Sequence, residues 1–546
     1  MPAWEFDVLE YHLQAPKEFV QAGHIGFVQH NIYSNMPLAT EMHALAAMLL
    51  AGGENGWWWG GMVGKLITGC HTLLGATLIL GYSSRQFGTL IGWASGSLLL
   101  AAPGCLHASS CGLVDMALGT YVTAALWATT LLAAPNNGQT PVLLSRTLLV
   151  FLLAGTAAAC KYTGLVCGLI PVAILVTILL PRVLPSNSKS KSVAVVFSGA
   201  VIALCLTVLP WYAKNAALTG NPVYPLAGSV FGYHENDANE RWNAAHRPGG
   251  PTAAAPYSVE ELTIASKQIT LTSRFINPGL YFLAGCGVFL TLCWPRNASA
   301  DTRRNVIIWT VVAAWIVATW WLFTHRIDRF WFPMLPLLSL LAAAGMHRLI
   351  QLTSAGVVVA MALAGIAWGA LIGASGGGPH DVRVFNPLST FRSNLTSPAA
   401  NAIISPTIAW CNAQLSNPDK QPNAKLLLIG QAAAFQFQVP VAYSTCFDQS
   451  LAEELLREKS LEEQIAGLAA NGITHIAIDW IEIDRYRKPG SYGFSDWPTK
   501  QTADKWLASG LVRKLSAPFA EGEFVAFEVV QDTPTSKQSE QPEAGK

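Results

Sequence analysis

The sequence predicts a polytopic α-helical membrane protein of about ten transmembrane helices followed by a small soluble α/β domain. Three observations lead there. Of 546 residues, 51% are hydrophobic and only 12% are charged, against roughly 25% charged in a soluble globular chain. Apolar stretches long enough to cross a hydrocarbon core of about 30 Å recur through the first two-thirds. After residue 375 the pattern changes to short apolar runs set among polar residues.

The apolar stretches fall near 58–82, 87–103, 112–133, 147–160, 163–180, 194–212, 279–294, 305–323, 330–346 and 355–374. The net charge of +1 carries no polybasic signature for nucleic acid. The ten cysteines show no CxxC or Cys/His metal spacing, and His12, His24, His30 and His43 lack HxxxH or HExxH spacing, so no metal site is expected from them. Cys105 with Cys111, or Cys411 with Cys446, could pair in an oxidising compartment. Otherwise such cysteines pack as small apolar residues.

Lys and Arg collect in cytoplasmic loops, and Arg85, Arg146, "PRVLPSNSKSKS", "PRNASADTRRN" and Arg348 mark alternate loops. The alternation holds only if 147–180 is two short spans joined at Lys161. Residues 1–56, the 104–115 loop, the long 213–277 loop, "THRIDRF" and everything beyond 375 then share the outer side. The first 56 residues contain six acids and Lys17 as the only base, which suits translocation. An acidic outer segment ordinarily follows a first membrane helix, so a leading span upstream of Met1 is expected.

Beyond 375, "GASGGGPH" reads as a flexible exit. "KLLLIG", "VPVAY" and "GITHIAIDW" read as short buried strands around a helical "LEEQIAGLAANG". The domains are therefore an outer catalytic loop at 1–56, a membrane module at 57–374, an extracytoplasmic α/β domain at 375–531 and a disordered polar tail at 532–546. Asp479, Glu482, Asp484 and Arg485 in the third domain read as a solvated strand end.

The polar residues that a membrane chain should avoid gather on the outer side. Asp7 and Glu10 lie in the first loop, Asp115 at the mouth of the third span, Lys161 at a hairpin tip, and Arg326 and Arg329 at the outer start of a span. Each has a plain alternative: Asp115 capping its helix, the arginines snorkelling to lipid phosphate, Lys161 solubilising a loop. Lys65, inside a span, snorkels or pairs internally. Ionisable groups at membrane depth are costly and usually functional, and carboxylates with cations at one water–lipid boundary suit a charged group carried on a lipid.

Several stretches together resemble the GT-C membrane glycosyltransferases, the group that includes protein O-mannosyltransferases and the aminoarabinose transferases of lipid A. They are "FDVLEYHLQAPKEFVQAGHI", "NIYSNMPLATEM", "VDMALGTYVTAALWA", "CKYTGL", "PWYAKNAALTGNPVYPL" and "RIDRFWFPMLPLLSLLAAAG". They run from residue 4 to about 345, in the family's order. The resemblance implies a GT-C-like fold and a sugar donor carried on polyprenyl phosphate; no GxGxxG or Walker loop for a nucleotide is seen. It further implies a multi-pass chain in the lipid bilayer of the cell (inner) membrane with its catalytic loops outside, a lipid, glycan or protein acceptor, and no cofactor beyond a divalent cation that could assist. Asp7 and Asp115 become the catalytic carboxylates. Glu10, Tyr11, His12, Lys161, Tyr162, Asn215, Tyr224, Arg326 and Arg329 become substrate-binding residues. Glu10 departs from the family, whose members often have a neutral residue there.

The chemistry then needs a base for the acceptor hydroxyl, assigned to Asp7, and a cation for the departing phosphate, assigned to Arg329 and then Lys161. A carboxylate or hydroxyl beside the oxocarbenium-like sugar follows; Asp115 could serve there, or it could hold the acceptor. A single displacement inverts the anomeric carbon. The rival expectation is a multi-span transporter or flippase, which would show repeated discontinuous helices; no such repeat is visible.

Overall fold

The computed structural model describes residues 3–132, 140–183, 189–232, 237–294, 298–375 and 404–530, apart from 418, 420 and 422. The tail at 532–546, Arg296 and most of "GASGGGPH" lie outside the described residues. The chain enters with a π-helical turn at Val8–His12, then α1 (Gln14–Ala22) and α2 (Met42–Ala51). The apolar part runs α3 (Gly56–Phe87), α4 (Thr89–Leu100), α5 (Pro103–Cys111), α6 (Asp115–Leu132), α7 (Thr140–Cys160), α8 (Tyr162–Gly164), α9 (Ile170–Val183), α10 (Lys189–Leu206) and α11 (Leu209–Thr219). A long connection carries α12 (Gly228–Phe231), α13 (Asp237–His246) and α14 (Val259–Lys267). The bundle closes with α15 (Pro278–Leu292), α16 (Ala300–Phe323), α17 (Leu335–Leu352) and α18 (Ala355–Ser375).

Among the described residues, 6 helices are long and apolar enough to cross a membrane, or up to 8 if two bent pairs each count as one span. The chain is thus a multi-pass membrane protein. The bent pairs are α4 with α5, at 58°, and α10 with α11, at 60°. The other expected stretches form α6 and the 15-residue α15. The 147–180 run does part at Lys161, whose extended backbone (φ −168°) separates α7 from α8.

Small residues set the helix packing, because a close backbone approach maximises contact where lipid supplies no hydrophobic drive. A Cβ added at Gly287 of α15 would overlap the Leu341 carbonyl of α17, and one at Gly345 of α17 would overlap the Leu283 carbonyl of α15. Gly60 and Gly64 of α3 likewise abut the α2 backbone at Met48 and Ala44. The lipid-facing residues Leu66, Phe197, Leu206 and Leu371 stay exposed.

The C-terminal sheet has the order β2-β1-β3-β5-β4, with β1 Leu426–Ile429, β2 Val441–Ala442, β3 His475–Asp479, β4 Val512–Lys514 and β5 Phe524–Val529. β1 pairs in parallel with β2 and β3, whereas β5 runs antiparallel to β3 and β4. The expected strands and the 461–470 helix are present, the latter with a full Ser460/Glu463 capping box. The reading of Asp479 as solvated is corrected: it is buried and its carboxylate caps the following helix by accepting from the Glu482 amide at 3.1 Å. All ten cysteines are free, so neither proposed pairing forms.

This domain is fastened to the N-terminal loop. The buried Lys17 ammonium donates to the carbonyls of Phe435 (2.9 Å) and Phe437 (2.7 Å) and lies 3.9 Å from the Trp57 ring. The Phe435 amide donates to Leu9 O at 3.2 Å, and Asp448 accepts from the Ile32 amide at 3.0 Å and the Thr445 hydroxyl at 2.5 Å. The N-terminal loop, the 213–277 connection and the α/β domain therefore meet at one end of the bundle.

Candidate active site

Each member of the site is delivered by a break in a helix. Gly112, at φ +91° where side chains are strained, ends α5 and lets the chain turn back so that Asp115 opens α6, where an acid complements the helix dipole. Lys161 sits at the α7–α8 break. Arg329 lies in the 3₁₀ turn Asp328–Met334 ahead of α17. Its neighbour Asp328 splints that turn, accepting from the Ser273 hydroxyl (2.7 Å) and the Trp331 indole (3.1 Å). Asp7 immediately precedes the π-helical turn and leaves its carboxylate free of any capping bond to it.

These four residues converge although they span more than half the chain. The Arg329 guanidinium donates through Nη2 to Asp7 Oδ2 and through Nη1 to Glu5 Oε1 at 3.1 Å, while its Nε lies 4.0 Å from Asp115 Oδ2. The other Asp115 oxygen accepts from Lys161 Nζ at 3.3 Å. Lys161 also lies 4.0 Å from the Phe330 ring. Three carboxylates and two cations thus form one continuous chain of charge. Burial alone would raise the Asp7 carboxyl, but Arg329 and then His12 outweigh it and hold the group below its usual range. Burial and the Asp7 charge push Glu5 the other way, upward.

The remaining predicted residues divide. His12 is buried beside the group, its Nδ1 2.5 Å from Glu41 Oε1. Tyr11 stacks on Tyr33 with ring centres 5.2 Å apart. Glu10 is buried, and burial and then the charges of Asp7 and Asp448 push its carboxyl well up. Tyr162, Asn215 and Tyr224 form an internal strut: the Tyr162 hydroxyl donates to Tyr224 O at 2.7 Å and accepts from Asn215 Nδ2 at 3.0 Å. Arg326 stands apart from Arg329 in a left-handed backbone conformation (φ +60°). Its guanidinium is taken up by Glu261 at 2.9 Å, Pro256 O and Trp321 O. It anchors the long connection instead of joining the carboxylates.

Sequence reasoning missed Glu5, Glu41 and an aromatic wall from the long connection. In that wall His246 stacks on Trp242 at 3.7 Å, bonds the Tyr33 hydroxyl at 3.2 Å and lies 4.9 Å from His325. Burial pushes His246 down to about 4 and His325 to about 3, so both are neutral at neutral pH. Glu5 was legible only as an acid two residues before Asp7. Among the described residues, no group of three or more His, Cys, Asp or Glu is placed to hold a metal.

No protein-family model matches the chain, and no curated protein matches it in sequence. Solved structures do. ArnT from Cupriavidus metallidurans in the apo state is similar at TM-score 0.58 and 15% identity, over 96% of this chain and 93% of that chain. ArnT from the same organism bound to undecaprenyl phosphate is similar at TM-score 0.56 and 14% identity, over 96% of each chain. Over nearly its whole length, bundle and α/β domain together, the chain has the fold of ArnT.

Proposed function

We propose that the chain is an integral membrane glycosyltransferase that moves a sugar from a polyprenyl-phosphate donor to a hydroxyl of a lipid, glycan or protein acceptor, on the extracytoplasmic side of the cell (inner) membrane. The observation that carries this reading is the Arg329 guanidinium held among Glu5, Asp7 and Asp115, with Lys161 on the same Asp115, at the end of the apolar bundle. The likeness to a structure of ArnT bound to undecaprenyl phosphate supports the donor class.

In this reading the donor's tail stays in lipid and its phosphate meets Arg329 and Lys161. Those cations stabilise the charge that develops as the sugar–phosphate bond breaks. Asp7 orients the acceptor hydroxyl and draws its proton during attack on the anomeric carbon. Asp115 sets both cations and faces the positive charge that grows on the sugar ring. Phosphate leaves without a proton, so one in-line displacement suffices and the configuration inverts. Tyr162, Asn215 and Tyr224 act by fixing the loop beside Lys161, and Arg326 by anchoring the long connection.

The test is reconstitution of the purified chain in liposomes with polyprenyl-phosphate-linked sugars, following release of polyprenyl phosphate. Cleavage of the donor that needs Arg329 supports the reading. Donor carried across the bilayer uncleaved would replace it with a flippase.

A further inference from the structure

Resting on the transfer reaction above, the inference concerns where the acceptor's proton goes. Asp7 is engaged by Arg329, and a carboxylate paired with a guanidinium holds a proton poorly. The group beside it is built to hold one. His12 and Glu41 are buried, with side-chain exposures of 5% and 2%, and lie 2.5 Å apart between Nδ1 and Oε1. With Glu41 as the carboxylate, which only accepts hydrogen bonds, a neutral His12 ring would carry its hydrogen on Nδ1 and its lone pair on Nε2.

Two independent pieces of backbone place this pair at the site. Leu13 N bonds Val8 O at 2.9 Å, closing the π-helical turn that follows Asp7. That i→i+5 geometry, rare and frequent at functional sites, brings His12 back over the face that carries Asp7, where a regular helix would carry it further round. Glu41 comes from a different segment, docked where α7 ends: Ala39 N donates to Ala159 O at 3.0 Å and the Thr40 hydroxyl to Cys160 Sγ at 2.9 Å, next to Lys161. The Tyr11 ring, 4.1 Å from the imidazole, fills the remaining side. Glu41 Oε2 has no hydrogen-bond partner among the described residues, a costly state for a buried acid that the imidazolium formed when His12 takes up a proton would offset. A positive charge on His12 would lower both Asp7 and Glu5, so the ring lies within electrostatic reach of both.

We propose that His12, oriented by Glu41, is the proton sink of the transfer reaction. As the acceptor oxygen bonds to the anomeric carbon, the carbon–oxygen bond to phosphate breaks and phosphate leaves with the electron pair. The hydroxyl proton passes through Asp7 to His12 Nε2, and Glu41 balances the imidazolium until water takes the proton after product leaves. Glu41 is a positioning residue and touches no substrate.

Two measurements decide it. In protein labelled with ¹⁵N-histidine, with the His12 signal identified by its loss in His12→Gln, the neutral ring is expected as the Nδ1–H tautomer. An Nε2–H ring would mean that Glu41 donates to it, and would overturn the dyad whatever the enzyme does. In the liposome assay, His12→Gln and Glu41→Gln should each lower kcat by roughly 10²-fold with donor KM unchanged. Glu41→Gln should add little in the His12→Gln background, because the pair acts as one unit. Glu41→Asp, which keeps the carboxylate, should recover most of kcat and serves if Glu41→Gln does not fold. Multiplying losses, a loss confined to KM, or no loss overturns the proposal. A wild-type chain that cleaves no polyprenyl-phosphate sugar overturns the glycosyltransferase reading instead, and the tautomer still judges the dyad.

Discussion

Arg329 neutralises more of its surroundings than any other side chain at the site, so its removal acts twice. Arg329→Ala should abolish binding of polyprenyl phosphate, and it leaves Glu5 and Asp7 facing Asp115 with only Lys161. Stripping one partner from a buried ion pair costs about 3–5 kcal/mol, so thermal unfolding in detergent should come markedly earlier. Asp7→Asn keeps size and hydrogen bonding, so transfer should fall by roughly 10²- to 10⁴-fold while polyprenyl phosphate still binds. Glu10→Gln should leave transfer close to wild type, because Arg329 pairs with Glu5, Asp7 and Asp115 and not with Glu10; abolished transfer in Glu10→Gln with normal transfer in Asp7→Asn would reverse the assignment. Asp115, Lys161 and Arg329 were legible because each is an ion at the edge of an apolar run, where it is costly, and Asp7 through the resemblance carried by its loop. Glu5 and Glu41 were not, since a lone acid in a loop carries no such signal until a partner distant in sequence is brought to it.

The elements that meet at the site are held by a clamp whose strength depends on pH. Burial pushes the Asp448 carboxyl up to about 6, while the unfolded chain titrates near 3.9. Between those values the folded state binds more protons than the unfolded one, so stability falls as pH rises through the window and stays lowered above it. The cost is about 3 kcal/mol at neutral pH, at about 1.4 kcal/mol per unit. Asp448→Asn, whose side-chain oxygen can still accept from Ile32 N and the Thr445 hydroxyl, should be more stable than wild type at pH 7.5 and equal to it near pH 4. Melting curves at the two pH values check this; a constant difference would contradict it. Lys17→Met, which loses both carbonyl contacts, should release the α/β domain to protease at lower concentration than wild type. The strands of that domain were readable from apolar runs bounded by turn residues, but its docking was not. Lys17 looked like a loop cation because its partners are backbone carbonyls some 420 residues away.

At the scale of the whole molecule, the alternation of Lys and Arg predicts that Ser190, at the start of α10, and Glu240, in α13, lie on opposite sides of the membrane. Single cysteines at the two positions should react with an impermeant maleimide from opposite faces; reaction from one face would mean that the chain does not reverse at Lys161. The helix break at Lys161 on which this rests was legible from charge alone, and the extended backbone there shows it. The bends between α4 and α5 and between α10 and α11 were not, because the second helix of each pair is less apolar than the first and hydropathy does not register direction. The central claim is that the ion group at the mouth of this bundle cleaves a sugar from polyprenyl phosphate. It is tested most directly by counting polyprenyl phosphate released in liposomes from wild type and from Asp7→Asn under saturating donor. The account predicts steady release by wild type and at least roughly 10²-fold less by the variant with donor binding intact. Equal release by both, or none by wild type across the sugar donors, would contradict it.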